Sequence, residues 1–306
     1  MTANFEIETF FDKRTFTLTY VVFSPETREA VVIDPVLDYE PGASKTFTES
    51  VDEVIVFLRR NSLDLRYILE THAHADHLSG SQRLLEAFPS AQTAIGVGII
   101  RVQEKFKQVF NLPEVFPTDG SQFHKLLHGG ERLPVGPMTV EVINTPGHTP
   151  ACVSYKVGDA VFTGDALFMP DSGTGRCDFP GGSAEEMYNG ITSGLYSLAH
   201  ETRVFVGHDY QPGGRDLAYA STIGEQKANN VALPANRGAA DFIAWREQRD
   251  ATLSAPKLLF QSVQINIDGG RLPAPADNQV RYLRIPINAF RPDPEPALES
   301  LGEQEV

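Results

Sequence analysis

The run His72-Ala73-His74-Ala75-Asp76-His77 places three imidazoles and a carboxylate within six residues. These groups are the ordinary ligands of intermediate divalent metals such as zinc and iron. A tight turn after a strand can aim side chains at this spacing toward one centre; the alternative is a solvated polar loop. Three further residues stand in similar settings. His148 lies in Thr145-Pro146-Gly147-His148-Thr149, Asp165 in Thr163-Gly164-Asp165, and His208 in Gly207-His208-Asp209-Tyr210. Each follows a short apolar segment and a glycine, and glycine lets a backbone come close to a crowded site. Of the eight histidines, His124, His128 and His200 fall outside the set and read as surface or helix-end residues.

The elements that must position these groups can be read from hydrophobic pattern. Residues 15–23 and 29–34 read as strands joined by the turn Ser24-Pro25-Glu26-Thr27. Ser50 with Glu53 forms a capping-box pattern ahead of Val51, Val54, Ile55 and Leu58, which predicts a helix to about Arg60. The apolar triplet Tyr67-Ile68-Leu69 predicts a strand that feeds the histidine run. Helices are expected over 80–88 and 97–110, and strands over 139–143, 153–157, 160–163 and 204–206. Ser183 with Glu186 predicts a helix carrying Met187, Ile191, Leu195 and Leu198 on one face. Beyond about Gln211 the composition shifts. There, 216–230 and 239–253 read as helical, and 258–267 and 282–287 as extended. The last stretch, 291–306, with three prolines and four glutamates, is expected to be a flexible acidic tail.

The 306 residues include 26 Lys+Arg and 40 Asp+Glu, a formal net charge of −14. An acidic chain is poorly suited to nucleic acid or to an anionic membrane surface, because both are polyanions. No basic stripe interleaved with aromatics is visible. Two cysteines cannot form a disulfide framework, so Cys152 and Cys177 read as free thiols. The start of the chain lacks a signal-peptide pattern, and no apolar run approaches the roughly 18 residues needed to span a bilayer. A cytoplasmic location, with no membrane and no nucleic-acid partner, is the expectation.

THAHADH followed in order by TPGHT, TGD and GHDY resembles the metallo-β-lactamase fold superfamily over about residues 15–215. That resemblance implies an α/β four-layer αββα sandwich with metal between the sheet edges. We expect residues 1–210 to form the catalytic domain and 211–306 a C-terminal extension packed on it. Fold alone does not settle the reaction.

Two glutathione-using branches share these motifs. In a glyoxalase II-like thioester hydrolase, His72, His74 and His148 would hold one Zn. Asp76, His77 and His208 would hold a second, with Asp165 bridging, giving two Zn per chain and a metal-generated hydroxide. In a persulfide dioxygenase, His72, His148 and Asp165 would bind one Fe(II) per chain as a 2-His-1-carboxylate triad with open positions. His74, Asp76, His77 and His208 would then orient ligands and water.

The segment Ser172-Gly173-Thr174-Gly175-Arg176-Cys177-Asp178-Phe179 resembles the GRxDF loop of persulfide dioxygenases more than the GKxY-type loop of glyoxalase II. The stretch 239–287 is also similar to a bacterial subgroup of these dioxygenases. The resemblance implies Arg176 as a carboxylate contact, against a surface salt bridge, and Tyr210 as a substrate contact, against a packed aromatic. Cys177, beside Arg176, would have a lowered pKa if the guanidinium is close; the alternative is a small loop residue. On these grounds the sequence is read as a dioxygenase acting on glutathione persulfide and O2 to give sulfite and glutathione, with a homodimer implied by the resemblance alone.

Overall fold

Strand formation in the first half follows β-branched and aromatic runs, and the turns between them set the pairing. The computed structural model describes residues 4–289. Strands β1 (Glu6–Asp12), β2 (Thr17–Phe23) and β3 (Glu29–Ile33) pair antiparallel in sequence order. After β4 (Val36–Glu40), β5 (Lys45–Phe47) and helix α1 (Glu49–Arg60), strand β6 (Asp64–Leu69) joins parallel to β3. The two-residue β7 (Leu78–Ser79) pairs with β4 in a small side sheet. Helix α2 (Ser81–Ala87), β8 (Gln92–Gly96), α3 (Ile99–Val109) and β9 (Lys125–Leu127) complete this half, giving a sheet ordered β1-β2-β3-β6-β8-β9.

The second half repeats the plan. Strands β10 (Arg132–Val135), β11 (Met138–Asn144), β12 (Val153–Val157) and β13 (Ala160–Phe162) form a meander. Helix α4 (Ala184–Asn189) leads through further helical turns to β14 (Arg203–Phe205), parallel to β13, and β15 (Ala220–Thr222) closes the sheet. Helices α5 (Ile223–Asn229), α6 (Ala239–Asp250) and α7 (Leu259–Asn266) follow.

The sheets face each other across one apolar core. Strand β2 is buried throughout, and its two faces do different jobs because successive side chains alternate. Tyr20 packs on Phe162 and Phe205 of the second sheet, with ring centroids 5.0 and 5.6 Å away. Val21 and Phe23 point the other way, into a cluster with Val51, Val54, Ile55 and Leu58 of α1 and Leu84 of α2. On the far side, Met187 of α4, Ile223 of α5 and Phe242 of α6 are buried with the second sheet. Helix, sheet, sheet, helix is the αββα order expected. Leu58 is fully buried, and Leu58→Ala is expected to cost about 2–5 kcal/mol in urea unfolding; a loss under about 1 kcal/mol would mean α1 is not integral to this core.

Several local readings are corrected. Ser50 does not cap α1: its N–H and hydroxyl both donate to Asp38 at 2.8 Å, while Thr48 stands at the N-cap position without a side-chain cap bond, its hydroxyl donating to Asp52. Ser183 does cap α4, accepting from the Glu186 N–H at 3.1 Å. Residues 216–230 are not one helix, because Ala220–Thr222 pairs with β14 before α5 begins behind a Thr222–Glu225 capping box. Residues 258–267 are helical rather than extended. Val263, Ile265 and Ile267 alternate like a strand, but packing of Leu259, Val263 and Ile267 against Ile99, Val102 and Phe106 of α3 decides the outcome. Residues 282–287 form no strand. The tail from 291 lies outside the described residues.

Candidate metal centre

The ligand candidates stand at strand ends along one edge of the sandwich. His72, His74, Asp76 and His77 follow β6, His148 follows β11, Asp165 follows β13 and His208 follows β14. Hydrogen bonds join the sheets there, among them those from the Val153 N–H to the Thr71 carbonyl (3.0 Å) and from the Leu18 N–H to the Gly207 carbonyl (2.8 Å). Gly164 shows why glycine precedes a ligand. Its φ is +49°, and a Cβ there would sit 2.4 Å from the Thr71 hydroxyl.

All seven residues converge. His72, His148 and Asp165 offer ligand atoms within 4.8 Å of one another, and so do His74, Asp76, His77 and His208. Asp165 lies between the groups: its Oδ2 is 3.6 Å from His148 Nε2, and its Oδ1 is 3.4 Å from His208 Nε2. His208 Nε2 is also 3.2 Å from Asp76 Oδ2. Asp76, with its side chain 26% exposed, marks the solvent side, and the others are buried.

The outer nitrogens of the imidazoles are held by the protein, which sets their tautomers. His148 Nδ1 donates to the Arg176 carbonyl at 2.7 Å. His208 Nδ1 lies 3.3 Å from the Phe16 carbonyl, and His77 Nδ1 lies 3.3 Å from the Thr17 hydroxyl. The Thr71 hydroxyl donates to Asp34, so its oxygen is free to accept from His72 Nδ1 at 3.0 Å. His74 uses its other nitrogen: Nε2 donates to Asp34 Oδ1 at 3.0 Å. The ring and carboxylate atoms left over face inward. His72 Nε2, His74 Nδ1, His77 Nε2, His208 Nε2, Asp76 Oδ2 and Asp165 Oδ1 are buried without a hydrogen-bond partner. Unpaired buried polar atoms are rare, and this set has the donor chemistry of a metal site. The residues present therefore fit a metal.

Electrostatics favour the same end. Burial, together with the neighbouring imidazoles, holds His72 well below the usual histidine range, and burial with His74 lowers His77 as well. Burial alone would lower His74 too, but the Asp34 and Glu70 carboxylates outweigh it and raise it well above. His72 and His77, neutral, are ready to ligate without first losing a proton, whereas His74 has to give one up to bind a metal.

Sequence reasoning missed Asp34, Glu70, Thr71 and Thr17. Asp34 had a signal, since it follows the apolar strand β3 just as Asp165 follows β13. Glu70, buried beside His74 and held by the Ser79 hydroxyl, directly follows β6. Nothing in the pattern marked Thr17.

Other expectations meet the structure as follows. The Arg176 guanidinium pairs with Asp178 and donates to the Ser254 carbonyl at 2.6 Å, so a substrate carboxylate would have to displace Asp178. Tyr210 stacks on His208 (5.6 Å, 13°) and meets Phe16 and Phe168, while remaining half exposed. Cys177 is not activated by Arg176: burial pushes its thiol up, and its Sγ lies 3.5 Å from Met187 Sδ. Burial likewise pushes the Cys152 thiol up to about 12. His124, His128 and His200 are exposed, as expected. No described helix is long and apolar enough to cross a membrane.

Comparison with known proteins gives the following. The family model described as Metallo-beta-lactamase superfamily matches residues 12–208. A Burkholderia pseudomallei protein named as a metallo-hydrolase is 45% identical over 294 residues, covering 93% of this chain and 99% of its own. The human mitochondrial persulfide dioxygenase ETHE1 is 30% identical over 225 residues, 73% of this chain and 74% of that protein. The crystal structure of ETHE1 from Myxococcus xanthus aligns with a TM-score of 0.70 at 32% identity, covering 87% of this chain and 100% of that one.

Proposed function

This chain belongs to the metallo-β-lactamase superfamily, and on that premise we propose that it is a persulfide dioxygenase using one Fe(II) bound by His72, His148 and Asp165. Family membership and the six unpaired donor atoms together support a metal cofactor. The observation that carries the finer reading is the His72–His148–Asp165 group, two imidazoles and one carboxylate complete in themselves. The loop that resembles the dioxygenase pattern is part of its support, because the Arg176 carbonyl holds His148. The likeness to the human and Myxococcus proteins points the same way.

A bound Fe(II) would supply the redox chemistry that joins O2 to the terminal sulfur of glutathione persulfide. Overall, the persulfide, O2 and one water give sulfite, glutathione and two protons. The chain's own part is to hold the reactants adjacent. His74, Asp76, His77 and His208 would line the reaction space and orient water from the solvent side marked by Asp76. Arg176 and Tyr210 would meet the substrate at the mouth. In the same proposal residues 1–210 are the catalytic unit and 211–306 an extension packed on it.

A second reading, a two-metal glutathione thioester hydrolase, is favoured by two observations: the group His74, Asp76, His77 and His208 is equally complete, and the Burkholderia relative named as a metallo-hydrolase is the more similar at 45% identity. Metal content measured with oxygen uptake separates the two. About one iron per chain with rapid uptake on adding glutathione persulfide is expected for the mononuclear site. Two zinc ions, no uptake and cleavage of S-lactoylglutathione would overturn the dioxygenase in favour of the hydrolase.

A further inference from the structure

Residue 266 lies outside the stretch 12–208 that matches the family, yet its side chain reaches the ligand loop. Asn266 ends α7 and is 4% exposed. Its Nδ2 donates to the carbonyls of His74 and His77, each at 2.8 Å, and its Oδ1 accepts from the Ser79 N–H, also at 2.8 Å. Both amide N–H groups and the oxygen are thus spent on one six-residue loop. The chain beyond α7 reinforces the contact: the Gly269 carbonyl accepts from Gln82 Nε2 at 2.6 Å and from the Ser81 hydroxyl at 3.2 Å. Through Ser79 the clamp continues to Glu70, whose Oε2 is 3.5 Å from His74 Nε2.

We propose that Asn266 is a positioning residue for the metal centre. It fixes the backbones of His74 and His77 relative to each other, so that His74 Nδ1 and His77 Nε2, with Asp76 between them, converge before any ion arrives. A loop of this kind, tied only at its strand end, would have many conformations to lose on ligating a metal. Three short bonds from a distant helix remove most of that freedom in advance, the effect by which outer partners raise metal affinity. The inference rests on an ion being held at the His74, Asp76, His77 and His208 group, alone or beside one on His72, His148 and Asp165, and not on which reaction the centre performs.

The competing account is that Asn266 merely anchors α7. Titration of the chelator-stripped full chain with Co(II), read by its visible bands and by chelator competition, separates the two. Asn266→Asp puts an oxygen against two carbonyls, and Asn266→Ala removes all three bonds. Both are expected to bind Co(II) about 10- to 100-fold more weakly, with shifted bands. Val263→Ala, at a fully buried position in the α7–α3 packing, should lower the thermal midpoint of the stripped protein while leaving bands and affinity unchanged. If Asp and Ala variants fail to fold, Asn266→Ser keeps one donor and one acceptor and should show an intermediate loss. Wild-type bands and affinity in the Asn266 variants overturn the proposal, as does an equal loss of affinity in Val263→Ala. A wild-type chain that binds Co(II) but, loaded with iron, takes up no oxygen overturns the dioxygenase reading and leaves this one standing.

Discussion

Purified His148→Ala protein is expected to retain its fold and to lose both its iron and its oxygen uptake. His148 sits on the turn after β11 and not within a strand, its ring 6.1 Å from that of Phe179, so its removal should leave the pairing of the two sheets intact. What it takes away is specific. His72 and Asp165 lose the third member of their group, and the Arg176 carbonyl loses its donor. Removal of an outer partner of a metal ligand costs about 10- to 100-fold in affinity, and deletion of a ligand should exceed that. Asp165→Ala should do the same and also deprive His208 of the carboxylate 3.4 Å away. Metal analysis and an oxygen electrode on the same preparation provide the check. Full turnover by iron-free His148→Ala protein would sink the assignment.

The second large effect is expected at Asp34. This carboxylate is 2% exposed, and it accepts from the Thr71 N–H (2.7 Å), the Thr71 hydroxyl (2.8 Å) and His74 Nε2 (3.0 Å). Burial by itself would raise its pKa, but His74 and the Thr71 bonds outweigh that and hold it below the usual range. Asp34 and His74 are therefore a buried ion pair in the metal-free protein. Removing one partner of such a pair typically costs about 3–5 kcal/mol, because the other charge stays buried alone. Asp34→Ala is expected to lose about that much stability in urea unfolding of stripped protein and to bind metal more weakly. A loss below about 1 kcal/mol would show that His74 deprotonates or is rehydrated at little cost.

Much of the centre was legible before any coordinates, for a physical reason. A metal needs several donors in one place, strand ends are where a sandwich can deliver them, and His72 to His77, His148, Asp165 and His208 all carry that signature. Asp34 carries it too, but it fell inside the expected strand 29–34 and stands alone there, with no glycine before it and no second donor beside it. The misreading of 258–267 has a different origin. A short apolar run with alternating polar residues is compatible with strand or buried helix, and only the α3 surface chooses. Asn266 was invisible for that reason, since its role depends on where α7 ends. Arg176 was noticed for its guanidinium, whereas its backbone carbonyl is what touches a ligand. Sequence patterns advertise side chains and are silent about main-chain acceptors.

The candidate ligands come from both halves of the sandwich: His72 through His77 from the first sheet, and His148, Asp165 and His208 from the second. An ion gripped by both would act as a rivet across the seam, joining segments more than sixty residues apart in sequence. A ligand that binds only the folded form adds RT ln(1 + [L]/Kd), about 2.7 kcal/mol when free metal is a hundred times Kd. The lifetime of this protein in a cell would then follow the supply of its metal, and scarcity would remove the chain along with its activity.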